Sequence, residues 1–166
     1  LNGAAIAGAS MVIAVDMVDS KLELAKAVGA THTINARSGN AVGEVLELTK
    51  GGCDYTFEAI GLKATAEQAF QMLCSGGTAT IIGMIPVGTM VELHGVDFLM
   101  EKKIQGSTMG SNRFRIGMPR FVDFYRDGKL HLDQMNSKHI KLADVNTALH
   151  ALKSGEEARH VIMFDQ

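Results

Sequence analysis

Short β-branched apolar runs alternate with helix-like segments closed by glycine, and no other feature of this chain restricts its fold so strongly. The run Met11 to Asp16 is too brief for a buried helix and rich in Val and Ile, so it predicts a central strand. Asp19 or Ser20 is placed to cap a helix over Lys21 to Val28, whose Leu22, Leu24, Ala25 and Val28 form one apolar face before Gly29. A strand over Thr31 to Asn35 follows. The unit then recurs, with Asn40 as cap, a helix over Ala41 to Lys50 ended by Gly51 and Gly52, and a strand over Asp54 to Glu58. A third round gives a helix over Ala64 to Cys74, a stop at Gly76 and Gly77, and a strand over Thr78 to Ile82. That strand ends at Gly83, before a loop with Pro86. Strands and helices in alternation, joined by short loops, argue for a parallel sheet covered on both faces, which is a doubly wound α/β fold.

Beyond this point Val91 to Leu93 and Lys103 to Ser107 are expected as two more strands, with a short helix near Val96 to Glu101 between them. After Gly110 the texture changes. A polar, basic stretch from Ser111 to Arg115 leads to a helix expected over Pro119 to Arg126, with Pro near its start. A strand over Lys138 to Leu142, a helix over Asp144 to Lys153 closed by Ser154 and Gly155, and a strand over His160 to Phe164 complete the pattern. The expected division is a nucleotide-binding domain over residues 1–109 and a second, α+β segment over 110–166. Leu1 is not an initiator Met and opens into a helix-like run to Ala9, so a preceding segment is expected.

With 166 residues, 46% of them apolar, the chain can bury a sizeable core. Its net charge of −2 and lack of any Lys and Arg block argue against nucleic acid as a partner. No apolar stretch reaches the roughly 18 residues of a membrane span, and no signal peptide opens the chain, so no membrane partner and a cytoplasmic location are expected. Cys53 and Cys74 lie apart with no neighbouring His, which fits buried thiols better than a disulfide framework or a zinc set.

Ligands of a doubly wound sheet bind at the carboxyl ends of its strands, and that rule selects Asp16. A carboxylate there accepts hydrogen bonds from both ribose hydroxyls of an adenine nucleotide and repels a 2′-phosphate, which favours NAD over NADP. The same position also suits a solvated strand end or a helix cap. No GxGxxG turn is present. The usual interval of about 20 residues from that turn to the acid, counted back from Asp16, ends before Leu1, so the turn and the first strand are expected upstream.

Several runs resemble the coenzyme domain of zinc-containing alcohol dehydrogenases of the medium-chain dehydrogenase/reductase superfamily. They are Gly3 to Ser10 followed by Val12 to Asp16 and Lys21; Gly29 to His32; Gly51 to Gly61; Gly76 to Thr78; Ile82 to Met84; and Ser154 to Arg159. The resemblance implies a Rossmann-type domain lacking its first strand, followed by a segment returning to the catalytic domain. It implies that Asp16 and Lys21 hold the adenosine ribose, and that Met17 and Ile60, next to Gly61, line the adenine slot. Ile82, Gly83 and Met84 would flank the nicotinamide, with backbone groups of Ser107 and Met109 on its carboxamide, Thr108 facing the substrate and Arg159 on the pyrophosphate. Leu62 stands where animal members often carry an arginine. The implied activity moves hydride between an alcohol or aldehyde and NAD, with a catalytic zinc polarising the oxygen.

The zinc ligands and proton relay belong to the family's N-terminal part, so no catalytic or metal residue is assigned to this chain, and the six scattered histidines show no ligand spacing. The chain alone should be inactive, and fragile unless a missing segment stays bound. Two alternatives remain: a zinc-free quinone or enoyl reductase of the same superfamily, against which Asp16 argues, and a non-catalytic nucleotide-binding module. A homodimer is expected along the edge formed by Met90 to Leu93 and Lys103 to Ser107. The basic loop of Asn112, Arg113 and Arg115 suits a solvated surface better than an anionic or aromatic substrate.

Overall fold

The computed structural model describes residues 1–154 and 159–164, the side chain of Ser154 excepted. Its contacts divide the chain into two compact units, Leu1–Gly39 together with Arg115–Gln166, and Asn40–Phe114. Every strand ladder among the described residues is parallel.

In the first unit, helix α1 (Asn2–Ile6) is followed by β1 (Ile13–Asp16), α2 (Asp19–Ala27) and β2 (His32–Asn35). Strands β1 and β2 pair from Ile13 with His32 to Asp16 with Asn35. The crossover α2 buries Leu22 and Ala25 on Ala14, and short side chains at two of these three positions let helix and sheet approach closely. No side chain caps α2. Asp19 is its first helical residue, and its Oδ1 instead accepts a 2.6 Å bond from Asn35 Nδ2, so the capping expected of Asp19 or Ser20 does not occur. Later in the chain come α5 (Phe114–Arg126), β6 (Lys138–Ile140), α6 (Val145–Ser154) and β7 (His160–Ile162), with β6 and β7 paired. The Asn2 side chain donates to the His131 carbonyl at 3.3 Å and accepts from the His131 amide at 3.0 Å, a reciprocal pair joining α1 to the loop after α5.

The second unit contains α3 (Ala41–Thr49), β3 (Cys53–Glu58), α4 (Lys63–Gln71), β4 (Leu73–Ile81) and β5 (Lys103–Gly106), with the strands ordered β3-β4-β5. Its core is Phe70, Leu73 and Ala79, covered by Leu93 and Ile104. Ala66 and Ala79 are fully buried, so α4 lies close on the sheet. Thr56 Oγ1 adds a 2.8 Å bond to the Ala69 carbonyl.

Several elements differ from the pattern read in the sequence. Strand β4 begins at Leu73, not Thr78, because Gly76 and Gly77 form an irregularity within the ladder and not a stop: Cys53 pairs with Leu73, and the register resumes at Tyr55 with Thr78. A Cβ on Gly52 would overlap the Cys74 amide nitrogen, so only glycine lets the two segments meet there. The span Val91 to Leu93 forms no strand. Side chains of α4 bond the main chain here, with Glu92 N donating to Glu67 Oε1 at 2.8 Å and Lys63 Nζ to the carbonyl of the preceding Met90 at 3.0 Å. Helix α5 starts at Phe114 and contains Pro119, which costs it one backbone bond, to the Arg115 carbonyl. Strands β6 and β7 stop two residues short of their expected ends, and the expected closure of α6 at Gly155 lies outside the described residues.

Phe70 is 1% exposed and stacks tilted against Phe98 at 5.3 Å. Phe70→Ala is expected to lower unfolding free energy by about 3–5 kcal/mol, read from denaturant midpoints; a loss below 1 kcal/mol would show that this cluster is not the centre of the unit.

Candidate functional site

In the second unit three parallel strands end side by side, and their exits are laced together through the main chain. The Glu58 carbonyl, at the end of β3, accepts from Ile82 N at 2.8 Å and Gly83 N at 3.0 Å; the Ile81 carbonyl, at the end of β4, accepts from Ser107 N at 2.9 Å. The sequence placed Ile60, Gly61, Ile82, Gly83, Met84, Ser107, Thr108 and Met109 here, and the structure brings them to this one edge as the segments leaving β3, β4 and β5. Ile60 is 64% exposed and Met84 91%; Ile82, Thr108 and Met109 are exposed as well. Apolar side chains uncovered at the carboxyl edge of a parallel sheet are the surface that a planar ring system would cover. The turn beyond β5 is tight, with Met109, Gly110 and Ser111 all at positive φ and Ser107 Oγ 3.2 Å from Ser111 Oγ.

The residue that sequence reasoning left out of the site is Glu58. It is 3% exposed, and its Oε1 accepts from Ile60 N at 2.8 Å, Gly61 N at 2.7 Å and Thr65 Oγ1 at 2.8 Å. Its Oε2 is buried with no hydrogen-bond partner, beside Gly83, where an added Cβ would stand 2.6 Å from it and overlap the Gly61 nitrogen. Gly61 has φ +88 and lies equally close to the Met84 carbonyl, so both glycines are needed for the β3 and β4 exits to touch. An acid as the last residue of a run with Tyr55, Thr56 and Phe57 was the available signal, since buried carboxylates are rare unless paired.

In the first unit Asp16 ends β1, half-buried, opposite Asn35. Its Oδ1 accepts from Val18 N at 3.0 Å, which bends the chain toward α2, while no partner of Oδ2 is seen among the described residues. A carboxylate with one oxygen fixed and the other open suits a ribose diol. Met17 is exposed and Lys21 half-buried in the first turns that follow. Arg159 is exposed ahead of β7, its amide 3.3 Å from Ser137 Oγ; residues 155–158 of the run that carried its resemblance lie outside the described residues.

Zinc is not fitted: among the described residues no group of three or more His, Cys, Asp or Glu side chains could hold a metal ion. No described helix is long and apolar enough to cross a membrane.

A family profile described as zinc-binding dehydrogenase matches residues 1–123. The chain belongs to the zinc-binding dehydrogenase family. S-(hydroxymethyl)glutathione dehydrogenase of Paracoccus denitrificans is 33% identical over 99% of this dehydrogenase chain and 46% of its own length. Class-3 alcohol dehydrogenase of Caenorhabditis elegans is 33% identical over 100% of the chain and 45% of its own length. The structure of benzyl alcohol dehydrogenase from Acinetobacter calcoaceticus superposes with a TM-score of 0.94 at 32% identity, over 99% of this chain and 46% of that one. The fold is thus the Rossmann-type α/β fold of the medium-chain alcohol dehydrogenases, and the chain spans just under half the length of the relatives it matches.

Burial by itself would raise the Glu58 pKa, but bonds from Gly61, Thr65 and Ile60 outweigh it and hold the carboxyl below its ordinary 4.5. A carboxyl lowered in the folded state contributes stability above pH 4.5 that is lost as pH falls through the lower native value. Glu58→Gln should therefore flatten this part of the stability profile on acidification, measured by denaturant unfolding at stepped pH; parallel profiles for the two proteins would refute the assignment.

Proposed function

We propose that this chain is the NAD-binding part of a zinc-dependent alcohol dehydrogenase that interconverts an alcohol and an aldehyde. The observation that carries the reading is Asp16, a half-buried carboxylate at the end of a parallel strand with one oxygen open. Family likeness supplies the individual roles. Asp16 and Lys21 hold the adenosine ribose, Met17 and Ile60 flank the adenine, and Arg159 meets the pyrophosphate. Ile82, Gly83 and Met84 support the nicotinamide, backbone groups of Ser107 and Met109 bind its carboxamide, and Thr108 faces the substrate. Bound NAD supplies the hydride acceptor, while these residues orient it and exclude water from one of its faces.

The division at Gly110, with residues 1–109 holding coenzyme and 110–166 belonging to a catalytic domain, is part of the same reading. So is a homodimer along Met90 to Leu93 and Lys103 to Ser107. The free thiols Cys53 and Cys74 suit the reducing cytoplasm. The relatives named above support alcohol chemistry.

A specific observation favours a second coenzyme. A zinc-binding dehydrogenase from Sinorhizobium meliloti, 30% identical with a TM-score of 0.81, was solved bound to NADP. Titrating the complete enzyme with NADH and NADPH by fluorescence separates the two. NADH should bind at least about tenfold tighter, and Asp16→Ala should erase most of that gap, because the carboxylate both accepts the diol and repels the phosphate. Tighter NADPH binding by the unaltered enzyme would overturn the coenzyme assignment. Zinc-dependent turnover by residues 1–166 alone would overturn the assignment of the metal to another part of the enzyme.

A further inference from the structure

We propose that Glu58 is a positioning residue for the coenzyme, a buried carboxylate that holds the β3 and β4 exits in the one arrangement that presents Ile60 and Ile82 together. The proposal rests on the coenzyme reading above and deepens it.

A single residue sits at the junction of both exits. Its main-chain carbonyl takes Ile82 N and Gly83 N, and its side-chain Oε1 takes Ile60 N, Gly61 N and Thr65 Oγ1. The first set fixes the path leaving β4, and the second fixes the path leaving β3 and the first turn of α4. Neither exit can shift without breaking bonds to the same residue. The two paths touch directly through Gly61 and Gly83, where no side chain beyond hydrogen fits, so a displacement of one is carried to the other by contact.

The charge of Glu58 follows from its surroundings. Three donors converge on one oxygen, and an ionised carboxylate is acceptor-only, so it can face all three without presenting a proton to any of them. Glutamine has the same shape but no orientation that satisfies the site. With its oxygen toward the three donors, its NH2 group is buried beside Gly83 in the place of Oε2, where the structure provides no partner; flipped, it sets donors against donors.

The side chains of Ile60 and Ile82 carry no polar group that could fix them, and both are exposed. Their placement is inherited from the main chain beneath. Glu58 is itself buried, 3% exposed, and acts through the loops that it bonds.

The test compares complete enzyme with its Glu58→Gln and Thr65→Val variants. In Glu58→Gln, Kd for NADH and KM for NAD should rise about tenfold, the alcohol KM should stay within about twofold, and kcat should fall by no more than about threefold. A merely structural role would lower the active fraction and leave both KM values unchanged. Without any nucleotide, amide exchange at Ile60, Gly61, Ile82 and Gly83 should quicken about tenfold, while Leu73 and Ala79 keep their protection. If Glu58→Gln does not fold, Thr65→Val, which removes one donor of three, should still raise Kd about threefold. An unchanged Kd in a folded variant would overturn the proposal while leaving the coenzyme reading intact. Failure of the unaltered enzyme to bind NADH would overturn both.

Discussion

A parallel sheet leaves its strand ends as bare main chain, and in the second unit one buried residue gathers those ends. Glu58 accepts through its carbonyl and through its carboxylate, so loops from two neighbouring strands take their course from one anchor. Desolvating a carboxylate is costly, and charge-assisted bonds from converging amides and a hydroxyl offset that cost only when the geometry is complete. The arrangement is therefore close to all-or-none: a loop either lies in place or leaves a buried charge short of partners.

Beneath this junction, packing sets how near the loops can come. Ala66 and Ala79 are fully buried where α4 crosses β4, and Phe70 and Leu73 fill the space beside them. Small residues at the crossing bring the first turn of α4 close to the strand ends, which is what lets Thr65 reach the Glu58 carboxylate. The first unit uses the same device with Ala14 and Ala25. Helix-to-sheet distance and site geometry are in this sense one property, set by alanines buried at the helix crossings.

How much of this could be read from the sequence depended on the range of the interaction. The apolar run ending at Asp16 and the glycine after Val28 are local signals: β1 ends at Asp16 as read, though it begins two residues later, and α2 ends one residue before Val28 and begins two residues before Lys21. Signals with two meanings misled. Gly76 and Gly77 read as a helix stop, yet Leu73 before them is already paired with Cys53 and they form the irregularity in the strand. Pro119 read as a helix start, yet the helix tolerates it inside. Val91 to Leu93 has strand-like composition but found side-chain partners on α4 before any neighbouring strand. The role of Glu58 had no local signature beyond a charge at a strand end, because its partners come from a turn, a helix and another strand exit that only folding assembles.

The reciprocal bond between Asn2 and His131 spans 129 positions. Residues 40–114, by contrast, form a compact unit from one uninterrupted stretch. During synthesis the residues of this continuous stretch thus emerge together, before helix α1 can meet its distant counterpart. Asn2 must wait through the synthesis of the 129 positions that separate it from His131. Loop closure over such a separation is slow, and the interval is one in which chaperone capture competes with native assembly.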